Sequence, residues 1–354
     1  MNETEKIFAN AFNQSPQLDA VSLKKIKKSF GSFEKAWKAE FSKIKTAGET
    51  ESLKDFREGV NPEKEFEFLE KEDVKILLED EFPSSLKETF PEPQMLYLKG
   101  NLPGEKQILL AVVGTRKFSS YGQQATEKII HGFNGFDINI VSGLALGIDA
   151  IAHKAAMENG LKTTAVLGCG LSDSVIYPRA NFGLAKEILE KGGSLVSEYP
   201  LKMRAAKYTF PRRNRIVAGL SKGILVTDAP EKSGAMITAY IALEYGKEVM
   251  AVPGSIFSEN SKGPNLLIKM GAVPVTEAKD AIFALGLEEK SEEKNGGLNL
   301  SSDEEKIIFL LSEPKARDEI IKESDLTAKE VMAILMQMEI KGLIKENGGK
   351  IYKK

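Results

Sequence analysis

The chain has 354 residues, of which 42% are apolar, and this length and composition suit two or three domains with real cores. Its 49 basic and 51 acidic residues nearly cancel, which excludes a uniformly basic, histone-like DNA-binding protein. The single cysteine, Cys169, excludes an intramolecular disulfide, and with only two histidines beside it we expect no Cys/His metal site.

The first 70 residues are charged and helical in rhythm, with apolar residues every three to four positions from Leu23 to Trp37. They predict a small helical domain, residues 1–70, that resembles SAM-like or helix-hairpin-helix modules. Such modules often touch DNA, but the lysines here could equally form a solvated face. The N-terminus lacks the order of a secretory signal, and no apolar run approaches the roughly 20 residues that cross a bilayer. We therefore expect a cytoplasmic protein with no membrane partner.

Residues 71–287 alternate strand-like apolar runs with helical patterns of about a dozen residues. The strand-like segments are MLYLKG, ILLAVV, INIVS, TTAVLG, SLVSEY, GILVT and EVMAV. Strands separated by helices in this way predict a doubly wound, mainly parallel α/β sheet.

The last part of the chain reads as a separate small domain. Residues 288–300 are acidic and contain glycine, which predicts a linker. Residues 301–354 give three helical patterns and a hairpin turning at Asn347-Gly348-Gly349, the outline of a winged helix. The third helix, between Thr327 and Leu343, carries balanced charge, so we favour a protein contact over DNA sequence recognition.

The window from Tyr199 to Thr227 is basic in an otherwise neutral chain. It contains no acidic residue, interleaves Tyr208 and Phe210, and holds seven cations: Lys202, Arg204, Lys207, Arg212, Arg213, Arg215 and Lys222. Cations interleaved with aromatic faces suit single-stranded nucleic acid, whose bases can stack. The alternative is a solvated charged loop.

Glycine turns follow several of the predicted strands. They are Gly114-Thr115-Arg116, Ser142-Gly143 at the start of SGLALGID, and Ser233-Gly234. Because the carboxyl ends of parallel strands form the ligand edge of such a sheet, Arg116 could grip a phosphate there. Each turn alone is equally explained by tight packing of strand against helix, and GLALGID does not complete a dinucleotide fingerprint.

Taken in order, these motifs resemble the DNA-processing protein A family, also called Smf. They are FPSSL, FPEPQMLYLKG, VVGTR, IVSGLALGIDAIAH, AVLGCGLSDSVIYPRAN, SLVSEYP, FPRRNRIVAGLS, SGAMITA and AVPG, spread over residues 75–280. The resemblance implies an extended Rossmann-like fold with no catalytic residues and no cofactor. It also implies binding of single-stranded DNA without strong sequence preference, protection of incoming strands in natural transformation, and loading of the RecA recombinase.

The resemblance and the residues together give the predicted DNA site. Arg116, Lys207 and Arg215 would bind phosphates, and Phe210 would stack on a base. We expect Asp149 and Glu198 to orient arginines or cap a helix, and His153 to be a satisfied, partly buried histidine. Asn214 could equally hold the backbone of its own loop. The full predicted set is Gly114, Thr115, Arg116, Ser142, Gly143, Arg179, Lys207, Phe210, Arg212, Arg213, Asn214, Arg215, Ser233 and Gly234.

Two alternatives to a DNA-binding mediator stay open. One is a nucleotide-binding or phosphoribohydrolase-like Rossmann enzyme, but EKSGAMITAYIALE lacks the double glycine and has Ile241 where the catalytic glutamate would stand. The other is a scaffold for RecA or a response regulator, with DNA binding secondary. Members of the resembling family dimerise through the late part of the sheet domain, so Asn265–Val275 is the predicted homodimer interface.

Overall fold

The computed structural model describes residues 3–40, 51–104, 107–287, 301–311, 313–340, 343–347 and 349–353. The chain divides into two compact units, Met1–Glu288 and Glu289–Lys354. The predicted linker, residues 288–300, lies outside the described residues. None of the helices in the described part of the chain has both the length and the apolar character needed to cross a membrane.

The first unit begins with short helices. Asp19 and Ser32 cap the second and third of them by accepting hydrogen bonds from the backbone N–H groups of Ser22 and Lys35. Their bounds are α1 Glu3–Asn13, α2 Ala20–Phe30, α3 Phe33–Lys38, α4 Glu51–Gly59 and α5 Pro62–Lys71.

The N-terminal helices share a core with the sheet that follows. Phe12 and Leu23 pack in the same buried cluster as Val74 and Tyr97 of the first two strands. The Tyr97 hydroxyl also donates to Asn10 Oδ1 at 2.8 Å. The boundary predicted at residue 70 therefore falls inside one compact unit.

Within the described residues of this unit, nine strands form one sheet in the order β1-β2-β6-β5-β4-β3-β7-β8-β9. Strand β2 pairs antiparallel with both β1 and β6, and all other neighbours are parallel. The strands are β1 Val74–Leu78, β2 Met95–Gly100, β3 Ile108–Val113, β4 Ile138–Ser142, β5 Lys162–Leu167, β6 Ser194–Ser197, β7 Gly223–Val226, β8 Glu248–Ala251 and β9 Val273–Pro274.

Helices cover both faces of this sheet, as a mainly parallel sheet requires. Along β3, Leu110 and Val112 enter one buried cluster, and Ala111 and Val113 enter another. The helices are α6 Ser120–His131, α7 Ile148–Glu158, α8 Phe182–Glu190, α9 Thr209–Leu220, α10 Gly234–Glu244, α11 Lys262–Lys269 and α12 Ala278–Ala284. The Rossmann-like, doubly wound prediction is confirmed.

The strand order reverses at β3. The chain runs from β3 outward to β6 and then returns to place β7 on the other side of β3. In open α/β sheets, ligands bind in the crevice at the carboxyl ends of the strands at such a reversal. The turn after β3 and helix α9, which leads into β7, are therefore the elements that matter for function.

The second unit has the winged-helix elements that the sequence predicts. Helices α13 Ser302–Leu310, α14 Arg317–Glu323 and α15 Ala328–Ile340 accompany a sheet of order β10-β12-β11, with strands Lys315–Ala316, Lys350–Lys353 and Ile344–Asn347. Its core includes Ile307, Ile320, Val331 and Ile351. The proposed protein-contact role of α15 stays a prediction.

Candidate nucleic-acid interface

The turn after β3 is held from both sides, and this fixes the backbone of Arg116. The Thr115 N–H donates to the Asp228 carbonyl at 2.7 Å, and the Thr115 carbonyl accepts from the Ile148 N–H at 3.2 Å. Gly147, with φ of +84°, passes so close that a Cβ there would lie 2.3 Å from the Thr115 oxygen. Arg116 is exposed beyond this fixed turn.

The start of α9 is fixed by buried hydrogen bonds. The Tyr199 hydroxyl donates to the Thr209 carbonyl at 3.0 Å, and the Thr209 hydroxyl donates to the Ala206 carbonyl at 2.8 Å. Lys207 is exposed just before the helix, and it has no ion pair among the described residues. A free cation thus stands at a rigid helix N-terminus, where the helix dipole also favours an anion.

Arg116, Tyr177 and Phe210 meet at the carboxyl edge of the sheet, and we call them the Phe210 cluster. The Arg116 guanidinium carbon lies 5.6 Å from the centroid of the Phe210 ring. The Tyr177 ring lies 5.7 Å away, tilted by 49°. Gly168 allows this ring position, because a Cβ there would come within 3.0 Å of Phe210. The cluster combines aromatic surface for a base with a cation for a phosphate.

Arg179 lies on the same loop as Tyr177. It is exposed, its Nη1 donates to the Asp173 carbonyl at 2.6 Å, and its guanidinium carbon lies 3.9 Å from the Phe182 ring centroid. These contacts leave the guanidinium at the surface. The phosphate contact predicted for Arg179 stays a prediction.

Arg213 is a structural cation rather than a phosphate contact, which corrects the prediction made for it. It is only 6% exposed, and its Nη1 donates to the carbonyls of Gly143, at 2.6 Å, and Val166. It also interacts electrostatically with Asp149, which accepts from the Gly143 N–H at 3.1 Å. Arg213 therefore ties the ends of β4 and β5 together.

Arg215 is likewise internal, so its predicted role as a phosphate contact is wrong for the structure as it stands. It is 6% exposed, and its Nη2 donates to both Glu198 oxygens at 2.5 and 2.6 Å. The carboxylates of Asp149 and Glu198 thus interact with the buried Arg213 and Arg215, as expected. A charge paired in this way is not available to neutralise DNA.

The remaining predicted residues divide between interior and surface. Ser142 and Gly143 are buried, and the Ser142 hydroxyl donates to the Val112 carbonyl at 2.7 Å. Both residues therefore support the turn after β4, and their prediction as DNA contacts is wrong. Asn214 accepts from Arg213 Nε at 3.2 Å, and its Nδ2 donates to the Gly234 carbonyl at 3.4 Å. Ser233 and Gly234 lie at the N-terminus of α10, where Gly234 is exposed.

His153 is fully buried and contacts Thr163, Nδ1 to Oγ1, at 2.6 Å. Burial and, to a smaller extent, the nearby positive charge of Arg213 together lower the pKa of His153 to about 3. His153 is therefore a structural residue, but it is fully buried and its Nε2 has no hydrogen-bond partner among the described residues, so the expectation of a satisfied, partly buried histidine is wrong in both respects. Its side chain has no exposed surface, so it does not contact a ligand.

Tyr177 is the residue that sequence reasoning missed. It stands in the YPRAN motif, which drew attention only to Arg179. The available signal was an aromatic residue directly before Pro178, in a segment between a strand and a helix. Its tilted contact with the Phe210 ring joins parts of the chain 33 residues apart, which spacing does not reveal.

Comparison with known proteins places this geometry in a family. A family model described as DNA recombination-mediator protein A matches residues 73–286, and one described as DprA winged helix domain matches residues 293–350. The chain belongs to the DNA recombination-mediator protein A family.

Relatives in this family cover the chain to different extents. Protein Smf of Escherichia coli is 45% identical over 201 residues, which is 57% of this chain and 53% of that protein. DNA processing protein DprA of Streptococcus pneumoniae is 43% identical over 206 residues, 58% of this chain and 72% of that protein. Protein Smf of Synechocystis is 32% identical over the full length of both chains. The chain thus spans about half the length of the Escherichia coli relative.

Two solved structures of family members resemble the fold. DNA processing protein A of Streptococcus pneumoniae matches with a TM-score of 0.68 and 33% identity, covering 80% of this chain and 98% of that one. DNA processing protein A of Helicobacter pylori, which binds single-stranded DNA, matches with a TM-score of 0.53 and 28% identity, covering 60% and 95%.

Proposed function

We propose that this member of the DNA recombination-mediator protein A family is a binding protein, not an enzyme, that binds single-stranded DNA at the carboxyl edge of its sheet. The Phe210 cluster carries this proposal. Phe210 is half-buried and Tyr177 is 47% exposed, the exposed Arg116 lies over the Phe210 ring, and Lys207 is an exposed cation three positions before Phe210. A base would stack on Phe210, and the flanking phosphates would contact Arg116 and Lys207.

The preference for single strands follows from the geometry of the cluster. A ring can stack on a base only when that base is free on one face, and duplex bases are covered on both faces. We further propose that the protein protects incoming strands in natural transformation, helps load the RecA recombinase, and acts as a homodimer in the cytoplasm. The relative from Helicobacter pylori, which binds single-stranded DNA, supports the DNA binding on which these steps depend.

The test is fluorescence anisotropy with a labelled oligo-dT strand and its matched duplex. The double variant Arg116→Ala, Lys207→Ala should lose roughly tenfold or more in affinity for the single strand. A double variant at the opposite edge of the sheet, Lys162→Ala with Lys222→Ala, removes the same charge from two exposed lysines at the amino ends of β5 and β7. It should bind nearly as wild type does.

Three results would count against the proposal. Equal affinity for duplex and single strand would remove the role of stacking. Equal losses in the two double variants would indicate a diffuse charge effect with no site at the Phe210 cluster. Absence of binding, together with release of a base from a nucleoside monophosphate, would favour the phosphoribohydrolase-like alternative.

A further inference from the structure

Helix α9 has a second face, turned away from the Phe210 cluster, that lines a cleft. Tyr208, Pro211, Arg212 and Arg215 recur at helical spacing and share one side of the helix. All four line a cleft of about 1060 Å³. Phe210, two positions after Tyr208, projects to the other side. The N-terminus of α9 therefore lies between the Phe210 cluster and this cleft.

This cleft, which we call the α9 cleft, lies between α9 and the N-terminal part of the same compact unit. Leu23 of α2 and Phe90 of the loop before β2 line it from that side, and Tyr199 and Tyr245 from the sheet domain. Pockets for small organic groups commonly have about 300–1,000 Å³ and apolar walls with a few polar groups. The α9 cleft, at about 1060 Å³, is slightly larger than this range and has the same mixture of apolar and polar walls.

Charges in the α9 cleft are balanced, which decides what kind of group it can take. Three carboxylates face three cations: Asp19, Glu198 and Glu244 against Lys202, Arg212 and Arg215. Arg215 is already paired with Glu198. A phosphate would gain little net attraction here, whereas a flat, neutral, polar-edged group meets no such penalty.

Two exposed aromatic rings stand at the α9 cleft. Phe90 is 84% exposed and Tyr208 is 54% exposed. The backbone of Phe90 is held on both sides by the Tyr245 hydroxyl, which accepts from its N–H at 3.0 Å and donates to its carbonyl at 3.1 Å. The Arg212 guanidinium carbon lies 5.5 Å from the Tyr208 ring centroid. Apolar rings displayed on a fixed backbone are stacking surfaces.

Arg215, which lines the α9 cleft, also has a buried donor without a partner. Both hydrogen bonds of Arg215 to Glu198 come from Nη2, and its Nη1 is buried without a partner among the described residues. An unpaired buried N–H group is unfavourable and fits a ligand that brings an acceptor. The carbonyl oxygens of thymine, cytosine and guanine are acceptors of that kind.

We propose that the α9 cleft binds a second, unstacked base of the strand whose other base lies on Phe210. This inference rests on the proposed function, since it extends the same strand around the N-terminus of α9. The base enters between Tyr208 and Phe90, and its carbonyl edge accepts a hydrogen bond from Arg215. Lys207, exposed directly before Tyr208, holds the phosphates between the two bases.

The test is a length series of labelled oligo-dT strands from about 4 to about 16 nucleotides. Tyr208→Ala should weaken binding of the longer strands by about 5- to 150-fold, the loss of one stacked base, and leave the shortest strands unaffected. Phe90→Ala, on the opposite wall, should reproduce this length-dependent loss. Phe283→Ala removes another exposed phenyl ring, on α12, and is the matched control.

The outcomes separate this inference from the proposed function. Unchanged affinity of Tyr208→Ala and Phe90→Ala at every length overturns the second base site and leaves single-strand binding intact. Equal loss at every length also overturns it, because Tyr208 would then belong to the site at Phe210. Failure of the wild-type protein to bind any strand overturns the proposed function, and the second site with it.

Discussion

Arg212 and Arg215 lie one helical turn apart on α9, and their surroundings give them opposite roles. Arg215 is buried with Glu198, whereas Arg212 is exposed. Removing one partner of a buried ion pair leaves the other charge buried without a partner, so Arg215→Met should lower the free energy of unfolding by about 3–5 kcal/mol. Arg212→Met should change it by about 0.5 kcal/mol or less. Urea unfolding of the two variants measures the difference.

The double variant Arg215→Met, Glu198→Met separates the buried pair from the packing of its side chains. Because neither charge then remains in the interior, the free energy of unfolding should recover part of the loss. This recovery of the free energy of unfolding is expected both in the absence and in the presence of DNA. Equal stabilities of Arg215→Met and Arg212→Met would contradict the internal role of Arg215.

His153 should make stability depend on pH in a defined window. The pKa of the folded protein's His153 is lowered by burial from 6.5 to about 3. Between these values the unfolded chain binds a proton that the folded chain does not, so stability falls as pH falls from 6.5 towards 3. The contribution is about 1.4 kcal/mol per pH unit.

Urea unfolding at several pH values tests this. His153→Gln should flatten the dependence in that window relative to the wild type. His131→Gln replaces the other histidine, which is exposed, and should leave the slope as it is. A slope that persists in His153→Gln would show that other groups cause it.

At the scale of elements, the turn before α7 positions Arg116. Gly147 has φ of +84°, and a Cβ there would meet the Thr115 carbonyl at 2.3 Å and the Arg116 Cα at 2.7 Å. Gly147→Ala should therefore cost at least about 1–2 kcal/mol of stability from the backbone conformation alone. Gly234, at the start of α10, has open space around it and negative φ. Gly234→Ala should be nearly neutral in thermal unfolding, which makes it the control.

The strands were predictable and α9 was not, for physical reasons. Strands such as β4 and β7 are buried on both faces, so they read as continuous apolar runs between glycine turns. Helix α9 is also buried on nearly every side from Arg213 onward. Its sequence therefore lacks the apolar stripe of a surface helix. Its arginines instead indicated an exposed basic segment.

The residues of the candidate site also divide into those that the sequence could indicate and those whose surroundings it could not. Arg116, Lys207 and Phe210 could be proposed from the sequence because cations and an aromatic residue stood in turns and in an acid-free window and matched motifs of the resembling family, and their contacts with DNA stay a prediction. The interior positions of Arg213 and Arg215 depend on Asp149 and Glu198, which reach them from other parts of the chain. Sequence spacing carries no information about such pairing, so exposure had to come from the structure.

For the whole molecule, the salt dependence of DNA binding counts the phosphate contacts. With Arg213 and Arg215 internal, the plot of log affinity against log salt should lose about 0.7 in slope for each of Arg116 and Lys207 removed. Phe210→Ala should weaken binding with an unchanged slope, because stacking releases no counterion. Titrations at several salt concentrations measure this. A slope that Arg116→Ala leaves unchanged would remove Arg116 from the phosphate contacts.

The proposed homodimer interface, Asn265–Val275, contains both interior and surface residues. Leu267 is fully buried, so a charge there would disrupt the fold whatever the oligomeric state. Met270 is 55% exposed, and Leu266 and Ile268 beside it are half-buried. An apolar surface of this kind suits a second copy of the chain.

Met270→Glu is therefore the informative variant for the dimer. A charge buried at a two-fold interface is placed twice, once from each copy, so the variant should shift the solution mass from dimer to monomer. Light scattering after size-exclusion chromatography measures that mass. Phe283→Glu puts the same charge on an exposed residue outside the segment, on α12, and should leave the dimer intact. If Met270→Glu keeps the wild-type mass while its thermal unfolding is normal, the interface does not include this surface.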